Sequence, residues 1–422
     1  MSAPAAARSL FGSANPHALA TILEASETKR IIAATDIFDL QGTKLWARSQ
    51  PVSQALQRKL MDRQLRTPLE SCLVAEDGIT SITLTRALQE LTEGRSPLGP
   101  LLRPHAARLA RETAQVPLHP VVQLLLTAAQ AARPATFAHA TEAMALAGAL
   151  MTAHGGGIAE IRLAMLAGLV HDLGAMYIDP RFAETEAERE PEFTTYQQLV
   201  VHPHIGQMLV TQLTNYPATI ARAVAEHHER CDGSGYPHAH AQARLSPLGR
   251  LIAVVEASLA ALEGGRDHLQ HASIALRAVP GEFDLDFVGH VSRIACEQPA
   301  RQPAMEDDEI RARLGALSTV LTEAEFNVAR VSKKATHPGL REATTLAGWM
   351  LGRLRIGWNE SGLWSSRAMS STDAGEVEAM EDELYRRLRG IQRAVCLRIG
   401  ALPEPEARTL RELCDSLPMG TA

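Results

Sequence analysis

The chain holds 422 residues, enough for two or three domains of ordinary size, and is 45% hydrophobic but only 4% aromatic. Its 42 basic residues stand against 48 acidic ones, a formal net charge of −6 without a basic block, which argues against a nucleic-acid or acidic-membrane binder. No apolar run reaches the roughly 18 residues of a membrane helix, and MSAPAAARSLFGSANP lacks the charged segment and apolar core of a signal peptide. Five scattered cysteines (Cys72, Cys231, Cys296, Cys396 and Cys414) fit a reduced compartment rather than a disulfide framework, so the expected localisation is cytoplasmic.

Taken in chain order, residues 1–28 are small and polar to neutral and read as a loosely ordered N-terminus. Apolar residues then flank Gln41-Gly42 in IIAATDIFDLQGTKLWARS, a hairpin pattern. SQALQRKLMDRQLRTPL carries Leu56, Leu60 and Leu65 at helical spacing, and SCLVAEDGITSITL returns to strand-like residues around Asp77-Gly78. Residues 29–95 are therefore expected to form a small mixed α/β domain of unknown role. The breaker-rich RSPLGPLLRP (95–104) reads as a linker.

Residues 105–296 are helical in pattern almost throughout. Phe137, Ala140, Met144, Ala147 and Met151 form a stripe at three-to-four spacing, with His139 beside it. IRLAMLAGLVHDLG is apolar nearly all round, which predicts a buried helix ending at Gly174. Pro217 opens a helix on which Ile220, Val224, His227 and His228 share a face. After a second linker at 297–309, residues 306–422 are again helical. There AGEVEAMEDELYRRLRGIQRAVCLRIG combines i,i+4 charge pairs with one apolar stripe, expected of a long surface helix or a homodimer contact. Trp349, Trp358 and Trp364 predict a buried apolar seam. The fold class expected is mainly α: an all-helical central domain, a small mixed α/β N-terminal domain and a helical C-terminal region.

Sixteen histidines are present, and a lone histidine is ordinarily a core or surface residue. His17, His105, His119, His154, His238, His240 and His337 are read that way. His171-Asp172 differs, because an unpaired aspartate at the end of a buried helix is costly. Metal binding is one way to keep it there. His202 in HPHIG, His227-His228 and the upstream His139 complete a set that four helices can aim at one point. Imidazole with carboxylate suits Fe, Mn or Zn rather than Ca.

HDLG at 171–174, HPHIG at 202–206 and HHERCDGSGYP at 227–237 resemble, in order and spacing, the HD-GYP family of metal-dependent phosphohydrolases, a bacterial branch of the HD superfamily. The likeness covers roughly residues 125–295. It implies an all-helical domain that hydrolyses cyclic di-GMP to pGpG or GMP through a metal-bridging hydroxide. Carried over by position, the ligands are His139, His171, Asp172, His202, His227, His228 and, where the family shows Asp, Glu256. They imply two divalent ions, Fe or Mn, with His171 and Asp172 at the centre of catalysis. Gly235, Tyr236, Pro237 and Arg266 would bind substrate. The GYP loop is also implicated in contacts with diguanylate cyclase domains. Glu229 and Asp232 are candidates either to orient the imidazoles or to end their helix.

Four departures from the family pattern bear on substrate grip. Ala175 follows Gly174 where the family has Lys, and Ala135 stands where three-metal members have Glu. Glu256 replaces Asp, and EGGRDHLQ keeps only Arg266 of a basic and aromatic segment. The enzyme reading therefore competes with a catalytically weakened module that binds cyclic di-GMP or a partner. Hydrolysis of another phosphate ester is a third reading.

Overall fold

The computed structural model describes residues 11–179, 193–262, 269–298, 307–360, 374–396 and 398–417. Among these the chain is helical apart from two short antiparallel strand pairs, as its Ala- and Leu-rich, aromatic-poor composition favours. None of these helices is long and apolar enough to cross a membrane. Two compact units form, one from residues 1–185, 198–228 and 245–255, the other from 186–197, 229–244 and 256–422.

In the first unit the loosely ordered N-terminus expected over 1–28 is corrected at Pro16–Ala25, which form a helix. Asn15 makes the difference. Its side-chain oxygen accepts the His17 and Ala18 backbone N–H groups, both at 3.0 Å, while Leu19 and Ile22 are buried. The hairpin around Gly42 joins Ile37–Phe38 to Lys44–Trp46, and Ile31–Ala33 pairs with Leu73–Ala75. The last four residues of ITSITL, Ser81–Leu84, are helical rather than strand-like. Thr80 and Thr83 cap each other's backbone at the start of the Ser81–Glu93 helix, and Leu84 and Leu88 fall on its buried face. Residues 29–95 share this unit with the helices that follow. Thr127 accepts the Ile79 N–H at 3.0 Å, and Gln123 donates to the Ile79 carbonyl at 2.8 Å.

Two helices, Pro134–Ala153 and Ile158–Val170, cross closely because the sequence keeps small residues at the contact. A Cβ on Gly168 would lie 2.5 Å from the Ala143 carbonyl oxygen, and one on Gly148 would lie 2.7 Å from Met165. The second helix stops at Val170, earlier than the Gly174 expected. Leu173–Tyr177 continue as one 3-10 turn. Gly174 does not end the helix. A Cβ there would stand 2.1 Å from the His202 carbonyl oxygen and 2.7 Å from the Gly206 nitrogen, so its hydrogen lets the turn rest on the Phe193–Leu213 helix.

The N-terminal residues hold the far side of that turn. Tyr177 donates its hydroxyl proton to the buried Glu70 at 2.9 Å, Asn15 donates to the Tyr177 carbonyl at 3.0 Å, and Phe11 meets the Tyr177 ring edge-on. Burial pushes the Glu70 carboxyl above its ordinary 4.5, against the lowering effect of its hydrogen bonds. An acid with a raised native pKa loses stability as pH climbs above the unfolded value. Glu70→Gln keeps an acceptor for Tyr177 and removes the ionisable group. The variant is therefore expected to gain stability over wild type as pH rises from 4.5 to neutrality, measured by urea unfolding. A difference independent of pH would count against this reading.

In the second unit Leu314, Leu317 and Leu321 of the Asp307–Lys334 helix pack with Leu351, Leu354 and Trp358 of Pro338–Glu360 and with Leu384, Leu388 and Ile391 of Ala374–Cys396. The apolar stripe expected to face solvent or a second copy is thus filled by the chain's own helices. The tryptophan seam is corrected too: Trp358 is 3% exposed, Trp349 is 40% exposed, and Trp364 lies outside the described residues. A buried ion cluster ties the third helix to earlier residues. Arg387 pairs with Glu282 and Glu383 and donates to the Ala275 carbonyl at 2.9 Å. Burial raises the Glu383 carboxyl, but Arg386 and Arg387 outweigh it and hold it down at about 2.

Candidate metal centre

The first unit brings together six of the residues singled out in the sequence. Two of them are placed by the same device. His171 follows the last residue of the Ile158–Val170 helix, and His227 follows the last residue of Ala218–Glu226. The final carbonyls of a helix have no N–H partner within it. Each histidine turns Nδ1 back to such a carbonyl three residues earlier, His171 to Gly168 at 2.7 Å and His227 to Val224 at 2.6 Å. A carbonyl only accepts, so Nδ1 carries a proton and Nε2 is the nitrogen that faces outward. The rings lie 5.1 Å apart between centroids, 1% and 0% exposed as residues.

Each outward nitrogen meets another imidazole. His139, half-buried on the Pro134–Ala153 helix, places Nε2 3.2 Å from that of His171. His202, 2% exposed on the Phe193–Leu213 helix, places Nε2 3.0 Å from that of His227. Asp172 lies on the same side, with Oδ1 3.2 Å from His202 Nε2, and its side chain is 28% exposed rather than buried as expected. His228 completes a trio in which His202, His227 and His228 offer donor atoms all within 4.8 Å of one another.

This donor set fits a metal. Nitrogens about 2.1 Å from one ion and at right angles stand about 3 Å apart. Both facing pairs have that spacing. A lone pair aimed at a neighbouring imidazole at 3.0–3.2 Å calls for a proton or a cation to reconcile the two. Five imidazoles with one carboxylate suit Fe, Mn or Zn.

Glu256 sits half-buried on the Pro247–Leu262 helix and belongs to the second unit. Arg266 lies outside the described residues. Gly235, Tyr236 and Pro237 are half-buried in the second unit, with a cis bond between Tyr236 and Pro237. Glu229 shapes their loop. Its two oxygens accept the His238 and His240 backbone N–H groups at 2.7 and 2.9 Å, and Asp232 accepts from Ser234 N and Oγ at 3.0 and 2.7 Å. These two carboxylates hold the loop. The Gly168 and Val224 carbonyls orient the imidazoles.

Two glutamates near the centre were not singled out in the sequence. Glu142, one turn beyond His139, has its carboxyl raised by burial against the opposing pull of His139. Glu226, next to His227 and 6% exposed, accepts Ser246 N at 2.8 Å and Ser246 Oγ at 2.5 Å. It thereby ties the end of its helix to the start of the Pro247–Leu262 helix. A glutamate in an alanine-rich helix carries no pattern that separates it from a solvated one.

Comparison with known proteins bears on this arrangement. Residues 124–277 match the HD domain family. That span holds all six clustered residues and Glu256, and it supports the HD-superfamily resemblance of the three motifs. A cyclic di-GMP phosphodiesterase of Pseudomonas aeruginosa is 33% identical over 154 residues, 36% of this chain and 36% of that protein. The chain therefore aligns with about a third of that relative's length. No solved structure matches the chain.

Proposed function

We propose that this chain is a metal-dependent phosphodiesterase that hydrolyses cyclic di-GMP to pGpG, GMP or both. The observation that carries the reading is the pair of facing imidazoles, His139 with His171 and His202 with His227, each anchored through Nδ1 on one side and convergent through Nε2. The HD domain match and the similarity to a cyclic di-GMP phosphodiesterase support the reaction class and the substrate. On this reading two divalent ions, Fe or Mn, are held by His139, His171, Asp172, His202, His227, His228 and Glu256. Bound ions there supply Lewis-acid polarisation of the phosphodiester and a water of lowered pKa.

The chain's own groups do the rest. The Gly168 and Val224 carbonyls keep Nδ1 of His171 and His227 as the donor and the rings aimed. Asp172 offsets cationic charge from beside His202. The loop folded over Glu229 presents Gly235, Tyr236 and Pro237 for substrate contact, and Arg266 adds a positive charge for phosphate. A diguanylate cyclase domain docking on the same loop is part of the proposal.

A second reading rests on Ala175, which is 5% exposed in the turn after His171 and offers no charge to a phosphate. On that reading the chain binds cyclic di-GMP or a partner with little turnover. One experiment separates the two: metal content of anaerobically purified protein, together with cyclic di-GMP turnover, with His171→Ala and Asp172→Ala as controls. The enzyme reading expects about two ions per chain and turnover that vanishes in both variants. Metal and nucleotide binding without turnover would favour the receptor, and protein without metal would sink the proposal.

A further inference from the structure

The C-terminal helices bring two of the five cysteines together, and this pair lies outside the phosphodiesterase reading. Cys396 is the last residue of the Ala374–Cys396 helix, and Cys414 lies near the end of Glu404–Asp415. Their sulfurs are 3.1 Å apart. A disulfide is about 2.05 Å long, so closure moves the two sulfurs together by roughly 1 Å. Gln392 donates to the Cys414 carbonyl at 3.2 Å and pins the two helices at this level. Cys396 is half-buried and within reach of a small oxidant, while Cys414 is 2% exposed.

We propose that Cys396 and Cys414 are a reversible oxidation site, closed to an intramolecular disulfide by a hydroperoxide. Cys396 is the attacking group. Its hydrogen bond with Cys414 holds its thiol below the ordinary value, against burial, and the same bond together with burial pushes the Cys414 thiol up. The Cys396 thiolate attacks a peroxide oxygen, the O–O bond breaks and hydroxide leaves, giving a sulfenic acid. The Cys414 sulfur, losing its proton, then attacks the Cys396 sulfur, and the sulfenic oxygen departs as water. In sum two thiols and one hydrogen peroxide give one disulfide and two waters. The bond would staple the last helix to the helix that carries Glu383 and Arg387.

The test uses the full-length chain, reduced and then exposed to hydrogen peroxide. Maleimide uptake is counted by intact mass under denaturing conditions. Uptake is expected to fall from five cysteines to three, with a Cys396–Cys414 peptide pair and full recovery after dithiothreitol. In Cys414→Ser, Cys396 is expected to stop at the sulfenic acid and be trapped by dimedone. Uptake that stays at five, Cys396 over-oxidised without a link in the wild-type chain, or a link running through the exposed Cys296 would each overturn the assignment. The mass measurement on the wild-type chain decides the matter even if a variant folds poorly, and none of it depends on cyclic di-GMP turnover.

Discussion

His227→Ala is expected to cost the centre its metal and the chain its turnover together. The ring stands among three others of the cluster: Nε2 faces His202 at 3.0 Å, and the ring lies 5.1 Å from that of His171 and 4.2 Å from that of His228. Removing only a group that orients a metal-bound histidine commonly costs about 10–100-fold in metal affinity. Loss of a donor itself should exceed about a hundredfold, read by isothermal titration with Mn(II) or by metal content. The apo fold should suffer less, by about 1–3 kcal/mol, as the Val224 carbonyl loses its buried partner. His154→Ala, at an exposed histidine, serves as the matched control and should leave metal content unchanged. Should His227→Ala retain its metal, the facing-imidazole reading fails whatever happens to turnover.

Gly174→Ala is expected to be nearly as damaging although it removes no donor. The added methyl would stand 2.1 Å from the His202 carbonyl oxygen and 2.7 Å from the Gly206 nitrogen, both backbone atoms of one helix. Neither can swing aside as a side-chain tip would, so the turn carrying Asp172 must part from the helix carrying His202. Overpacking of this kind costs about 1–3 kcal/mol, and more where backbone is involved. It also breaks the 3.2 Å approach of Asp172 to His202. Metal content should fall more than about tenfold in protein that keeps its helical circular dichroism, since misplacing a centre's donors is penalised steeply. Gly289→Ala is the comparison: a Cβ there meets nothing within 4 Å, and the helix should gain about 0.5–1 kcal/mol. Equal metal content in Gly174→Ala and wild type would show that the close approach at Gly174 does not set the centre.

Much of the helical layout was legible because burial imposes a 3.6-residue period on apolar side chains. The apolar stripe through Val377, Leu384, Leu388 and Ile391 follows it, whereas Ile158–Val170 was legible as a helix apolar nearly all round and therefore buried. The residue types of the candidate centre were legible for another reason. Metal chemistry needs imidazole and carboxylate, and HDLG, HPHIG and HHERCDGSGYP concentrate them in short motifs.

Other features were not local. ITSITL has the β-branched composition of a strand, and the reciprocal cap between Thr80 and Thr83 starts a helix at Ser81 within it. The stripe after Ala374 reads equally well for a second copy or for a neighbouring helix, and packing within the unit chose the neighbour. Glu229 and Asp232 have the chemistry to steady an imidazole, yet backbone N–H groups of their own loop claim them.

The sequence by itself determined the helical class and which side chains bring chemistry, because period and residue type are properties of a short stretch. Tertiary structure alone decided that Gly174 serves a close approach rather than a helix end, that the Gly168 and Val224 carbonyls meet Nδ1 of His171 and His227, and that Cys396 meets Cys414. Each of these depends on backbone atoms or on residues distant in sequence. A distance between such atoms leaves no mark on the residues that flank them.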